Sequence, residues 1–415
     1  MQGLAGTTAF SALNPLLFEI QNHAYKEKLY MKNKFIAAIL AANLCLSLAA
    51  CGQPPSQGGE SKIPEASATT QMSASTVPAE SNAPRRITDL GGNEVTIPAP
   101  AEIKKIVILS PPVMSFVVSA IPDTQMIVGI NSRSFLTSNP KVVEKVFPNW
   151  KSVESSFVDV NFAVNTESLL ALEPDVIFYY GDFQKKGIEG LNIPAVDFLM
   201  KGVNSPEKMS VAWDKQIREI LGTDTSVGIQ KEWDTTNAKL ENLLKNVGVQ
   251  KKRGLCIKLN QAGSIMVMGS DSFDGWAQSF FALSGIENIA ASVEGTGEVS
   301  MEQIYEWNPD FIMCFQDVPA SYILENSIEG QDWSLLTAWK NKQVFDVPRT
   351  TYAWVTPCAD SPLFPLWLVS KAYPELMSRS EIRAEIKEYY RRNYGVGLTE
   401  QDLDSILDYR EATGI

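Results

Sequence analysis

Two arginines lie in segments suited to holding an anion. Arg133 belongs to Ser132-Arg133-Ser134, directly after the apolar run 126–130, and Arg349 opens the segment Arg349-Thr350-Thr351-Tyr352-Ala353-Trp354. A guanidinium presents a planar fork of N–H donors that matches carboxylates and oxyanions. The hydroxyls of Ser110 and Ser132 can add to such a site. Tyr180, Trp276, Tyr352 and Trp354 offer flat faces of the kind that stack on a planar chelate or macrocycle. All eight residues fall in or beside loops that follow short apolar runs read as strands. In α/β sheets ligands bind outside the carboxyl ends of the strands.

Much other chemistry is excluded. The single histidine, His23, precedes the part of the chain expected to fold. Ser-His-Asp and Cys-His nucleophile systems therefore lack their base. Zinc sites that use histidine, including the His-Glu-x-x-His kind, are excluded as well. There is no phosphate-binding Walker loop, no Gly-x-Ser-x-Gly elbow and no Cys-x-x-Cys pair. Cys256 and Cys314 sit in apolar runs that read as buried strands, and with Cys358 they show no spacing that frames a disulfide or a cluster. The net charge of -12 argues against nucleic-acid binding, which rests on Lys and Arg. The expectation is a binding protein, not an enzyme, with no cofactor and no resident metal.

These loops need elements to position them, and the chain reaches those elements late. Lys32 and Lys34 form a basic start, and 35–48 is an apolar stretch shorter than the roughly 20 residues of a membrane span. Leu48-Ala49-Ala50-Cys51 resembles the lipobox of bacterial lipoproteins. That resemblance implies cleavage before Cys51 and acylation of its thiol. Residues 1–50 thus read as a leader in which Met31 is the true start. The segment 51–84 is rich in Ser, Ala, Pro, Gly and Gln; it lacks the apolar side chains to offset chain ordering and reads as a disordered tether.

From residue 85 strands and helices alternate, which points to α/β sheets with parallel strands. The stretch 86–97 has the alternation and turn glycines of a β-hairpin, and 103–111 contains a buried strand. One pattern occurs twice. Glu167 and Glu302 each open a helix, Pro-Asp follows seven positions on, and an apolar strand comes next. The recurrence argues for two lobes of like architecture. Between them, 224–247 keeps a helical period and would reach about 35 Å at about 1.5 Å per residue, a strut between lobes. Helices are expected over 381–394 and 399–410. The parts are then an N-terminal lobe at 85–202, linking helices at 203–250, a C-terminal lobe at 251–372 and C-terminal helices at 373–415.

In this order, the lipobox, the tether, Ile-Thr-Asp-Leu-Gly-Gly-Asn-Glu-Val-Thr-Ile-Pro at 87–98, Lys-Ile-Val-Ile-Leu-Ser-Pro at 105–111, the paired Glu-helix-Pro-Asp-strand units and the linking helix resemble the substrate-binding proteins of iron-siderophore and cobalamin importers. The resemblance covers roughly 85–400. It implies two similar α/β lobes joined by a long rigid helix, with the ligand in the cleft between them. It also implies an extracytoplasmic, lipid-anchored monomer that hands its ligand to an ABC permease dimer. In that family a surface Glu on each lobe docks into the permease; by position these are Glu167 and Glu302. The expected ligand is a metal chelate such as a ferric siderophore or a corrinoid. A molybdate or tungstate oxyanion is the alternative, because Ser-Arg-Ser also suits small oxyanions. A surface sensor on the same scaffold is the other open reading.

Overall fold

A computed structural model describes residues 83–408, apart from positions 122, 160, 246–250, 273–274 and 317–318. The leader, Met31, Cys51 and almost all of the expected tether lie outside the described residues. Among the described residues no helix is long and apolar enough to cross a membrane.

The N-terminal lobe opens with the expected hairpin, β1 (Arg85–Thr88) and β2 (Glu94–Ile97), in antiparallel register. There follow β3 (Ile106–Ile108), α1 (Val113–Ala120), β4 (Ile127–Ile130), α2 (Arg133–Leu136), α3 (Pro140–Val146), α4 (Thr166–Leu170), β5 (Val176–Tyr179), α5 (Gly181–Lys185) and β6 (Ala195–Asp197). The four strands after the hairpin form one parallel sheet in the order β4-β3-β5-β6. Every residue of β3 and β5 is buried, as expected of parallel strands covered on both faces.

Two linking helices follow, α6 (Pro206–Leu221) and α7 (Ile229–Leu244). The helix expected over 224–247 is present as α7 but begins only at Ile229. Asp224 instead caps a short 3-10 turn by accepting the N–H of Ser226, and Gly228 is extended. The turn between the helices is tight: the Asp214 carboxylate, paired with Arg218 at 2.9 Å, also accepts the first N–H of α7, that of Ile229, at 2.9 Å. A Cβ on Gly228 would stand 2.4 Å from that carboxylate, so only glycine fits the corner. Helix α6 packs on α1, and the Trp233 indole on α7 donates to the Ser210 hydroxyl on α6 at 2.8 Å.

The C-terminal lobe contains β7 (Arg253–Gln261), β8 (Ser264–Met268), α8 (Ala277–Leu283), β9 (Glu287–Asn288), β10 (Thr296–Val299), α9 (Met301–Trp307), β11 (Phe311–Gln316), α10 (Ala320–Leu324), α11 (Thr337–Lys340) and β12 (Val344–Asp346). Its sheet runs β10-β8-β7-β11-β12, with β9 beside β7. Strands β7, β9, β11 and β12 pair in parallel, while β8 pairs antiparallel with both β7 and β10 and alone runs the opposite way. The chain ends in α12 (Leu363–Ala372), α13 (Arg379–Asn393) and α14 (Glu400–Leu407). Helix α12 packs on α7 and α8, and α14 packs on α3 of the N-terminal lobe.

The repeated Glu-to-Pro-Asp motif has a shared stereochemical basis. In both lobes the residue before the proline takes a left-handed conformation, Glu173 at φ 49° and Asn308 at φ 41°. Each following Asp then satisfies the start of a neighbouring strand. The Asp175 carboxylate accepts the N–H of Lys105 at 2.8 Å, and that of Asp310 accepts the N–H of Arg253 at 2.8 Å. The motif is therefore a junction that stops a helix and aligns the next strand with its neighbour. Cys256, Cys314 and Cys358 are buried free thiols.

Candidate functional site

Strand β4 ends at Ile130, and the chain turns at once into α2, which carries Arg133. The turn is built by Asn131, fully buried. Its side-chain oxygen accepts the Arg133 N–H at 3.0 Å, and its amide donates to the Leu109 carbonyl at 3.2 Å. Arg133 is thereby fixed to the ends of both β3 and β4. Across the lobe boundary, β12 ends at Asp346 and the chain folds back as a narrow loop. Arg349 and Ala353 form an isolated bridge, and the Trp354 N–H donates to the Pro348 carbonyl at 3.1 Å.

One tyrosine feels the charge of both arginines. Burial raises the Tyr352 hydroxyl above its ordinary value of 10.0, while a hydrogen bond with the Thr137 side chain and the charges of Arg133 and Arg349 pull it down. Tyr352 is 8% exposed, so its side chain is packed. Arg349 also crosses the boundary itself. One guanidinium nitrogen donates to the Phe315 carbonyl at the end of β11 at 2.8 Å, and another approaches the Leu136 carbonyl of α2 at 3.4 Å. Beside them the Asn139 N–H donates to the Thr350 carbonyl at 2.8 Å. Two arginines thus stand on segments that these bonds tie together, with Ser and Thr hydroxyls nearby in sequence, a set of donors suited to an anion.

The other expected residues are placed differently. Ser110 is buried at the end of β3, where its carbonyl accepts the N–H of Val113 and starts α1. Ser132 is half-buried immediately before α2. Tyr180 is half-buried and meets the core indole of Trp213 edge-on at 5.8 Å. Trp276 is 7% exposed, with its indole N–H buried and without a hydrogen-bond partner. Trp354 is 0% exposed and donates to the Thr350 hydroxyl at 2.7 Å. It stands behind the loop as a core side chain, not as a face open to a ligand. Glu167 and Glu302 are both exposed in the first turns of α4 and α9, capped by Asn165 and Ser300.

Three further features lie near these residues. Thr137, which ends α2, lies close to Tyr352. The Ser134 hydroxyl is fully buried without a hydrogen-bond partner, one residue from Arg133. Phe162 has φ 64°, a conformation costly for an aromatic residue, and its ring lies 5.5 Å from the Arg133 guanidinium. The Asp159 carboxylate holds that turn by accepting the N–H groups of Asn161 and Ala163, each at 2.8 Å. On its other side Phe162 meets Phe183 edge-on at 5.2 Å.

Comparison with known proteins gives consistent results. Residues 158–351 match the family model described as periplasmic binding protein. The chain is 26% identical over 341 residues to the molybdate-binding protein MolA of Haemophilus influenzae, covering 75% of this chain and 91% of that protein. The structure of MolA bound to molybdate superposes with a TM-score of 0.63 at 26% identity, over 76% of this chain and 99% of the other. A periplasmic solute binding protein from Veillonella parvula gives a TM-score of 0.66 at 27% identity, over 79% and 97% of the two chains. The nickel-histidine complex of Helicobacter pylori CeuE shares the fold at 22% identity, with a TM-score of 0.60 over 78% and 99%.

Proposed function

We propose that this chain, similar to periplasmic binding proteins, serves an ABC transporter as its extracytoplasmic solute-binding component and that its solute is a small oxyanion of the size and charge of molybdate. The observation that carries this reading is that Arg349, from the C-terminal lobe, reaches the Leu136 carbonyl of α2, the helix of the N-terminal lobe that Arg133 opens. Two guanidiniums and flanking hydroxyls suit a compact dianion. The withdrawal of Trp276 and Trp354 into the interior removes the broad aromatic lining that a large chelate needs. The likeness to a molybdate-binding protein supports the same choice.

The chelate expected from the sequence is the second reading. Its support is Phe162, whose ring rests on Arg133 and on Phe183 at the rim. Calorimetric titration with molybdate, tungstate, sulfate, ferric siderophores and cobalamin separates the two. Tight binding of molybdate or tungstate supports the oxyanion; binding of a siderophore or corrinoid alone refutes it.

The remaining roles belong to delivery. Glu167 and Glu302, one exposed carboxylate per lobe, would dock the loaded protein on the two like subunits of a permease dimer. A lipid on Cys51 would hold the protein at the membrane surface through the segment 51–84.

A further inference from the structure

The loop that carries Arg349 and Tyr352 is built around a buried charge. Asp360 is 0% exposed and is the acceptor of a converging set of hydroxyls. Its Oδ2 accepts from the Thr350 and Thr351 hydroxyls, each at 2.6 Å, and from the Tyr390 hydroxyl at 2.9 Å. Its Oδ1 accepts from the Tyr394 hydroxyl at 2.9 Å. The threonines flank the ligand loop; the tyrosines come from α13 and the residue that ends it. Next to Asp360, the Ala359 N–H donates to the Ser115 hydroxyl on α1 at 2.9 Å, and its carbonyl accepts the Tyr389 hydroxyl.

A buried carboxylate removed from water is tolerated only when hydrogen bonds replace its hydration. Here the replacements come from two parts of the chain, the ligand loop and the end of α13. A fold needing only a packed core at this point would be served as well by an apolar residue. The hydroxyls of Thr350 and Thr351 would then have no fixed direction, and the backbone between Arg349 and Tyr352 would lose its anchors.

We infer that Asp360 is the positioning residue of the ligand loop, through which the C-terminal helix α13 sets the geometry of Arg349 and Tyr352. Asp360 does not touch the solute; it acts by holding the two threonines between the residues that do. The loop geometry follows from the contacts alone, and only its consequence for affinity rests on the oxyanion reading.

The test uses the full chain and two readouts, hydrogen exchange followed by mass spectrometry and calorimetry with molybdate as the probe. Asp360→Asn keeps the shape and removes the charge. Tyr394→Phe deletes one donor and leaves the helix intact, so it carries the test alone should Asp360→Asn fail to fold. Arg379→Ala is the control, because it removes a surface pair with Asp408 between the same C-terminal helices and leaves the buried carboxylate untouched.

Exchange over 349–356 should rise at least about tenfold in Asp360→Asn and less in Tyr394→Phe, as loss of hydrogen bonds to a charged group implies, with β7 still protected. Molybdate affinity should fall in the same order, and Arg379→Ala should change neither. Combining Tyr394→Phe with Tyr352→Phe should lose less affinity than the two single losses added, a coupling that general destabilisation does not produce. Unchanged exchange in folded Asp360→Asn and Tyr394→Phe overturns the inference, as does an equal effect of Arg379→Ala. Faster loop exchange in a protein whose wild type ignores molybdate leaves the positioning role standing and overturns the oxyanion reading instead.

Discussion

Replacing Arg349 by alanine removes a guanidinium that reaches both lobes, and its two effects differ in size. Its bond to the Phe315 carbonyl at 2.8 Å is a good charge-assisted hydrogen bond, while the approach to Leu136 at 3.4 Å is beyond the usual range. Loss of one such bond, leaving a carbonyl to find another partner, should lower stability by about 1–2 kcal/mol. Loss of a buried charge partner to the solute costs more, about 2–5 kcal/mol, so affinity should fall about thirtyfold or more. Arg349→Lys restores the charge without the fork and should recover part of the loss, leaving affinity about tenfold below wild type. The assay is calorimetric titration with molybdate, repeated at high salt, beside urea unfolding of each variant. An Arg349→Ala protein that is folded and binds molybdate as tightly as wild type refutes the site.

Other outcomes follow from the same structure. Trp354→Ala should cost about 3–5 kcal/mol of stability in urea unfolding, because it empties a fully buried indole site behind the loop. Reversing both docking charges, Glu167→Arg with Glu302→Arg, should abolish uptake by cells while calorimetric affinity for the solute stays at the wild-type value. Cys51→Ser should move the protein from the membrane fraction to the soluble fraction with an unchanged melting temperature. The Glu400 carboxyl is held at about 2, below its ordinary 4.5, by hydrogen bonds from Lys387 and Arg383. A depressed carboxyl contributes stability that is present above its unfolded value and lost as pH falls through its folded one. Glu400→Gln should therefore flatten the decline of melting temperature between about pH 4.5 and 2.

The parts of this molecule that could be read from sequence are those set by neighbours along the chain. The Glu-to-Pro-Asp junctions were legible because a proline and a following carboxylate act within a few residues. Their detailed role in aligning Lys105 and Arg253 with the next strand needed the structure. Arg133 and Arg349 were legible as arginines beside strand ends, but the approach of Arg349 to Leu136 on the helix that Arg133 opens joins residues 213 positions apart. The helix within 224–247 was legible from its period, but its start was not, because Asp224 caps a separate short turn and Gly228 makes a tight corner before α7 begins at Ile229. Trp354 was misjudged as a stacking face, since an aromatic in a loop looks the same in sequence whether it points outward or inward. Asp360 did leave a signal. It is the one charged residue between Arg349 and Lys371 in an otherwise apolar run, and a lone carboxylate in such a run must find partners.

The bonds of Asn139 bear on how the chain acquires its fold. This side chain caps α3 inside the N-terminal lobe and is fully buried, yet its amide donates to the carbonyl and the hydroxyl of Ser405 at 3.0 and 3.1 Å. Its own N–H needs the Thr350 carbonyl. The first lobe to be synthesised therefore lacks partners for one of its buried polar groups until nearly the last helix has been made. Contacts of such long range form late, because the intervening chain must be closed first. These bonds of one buried side chain thus couple the completion of the first lobe to the far end of the chain.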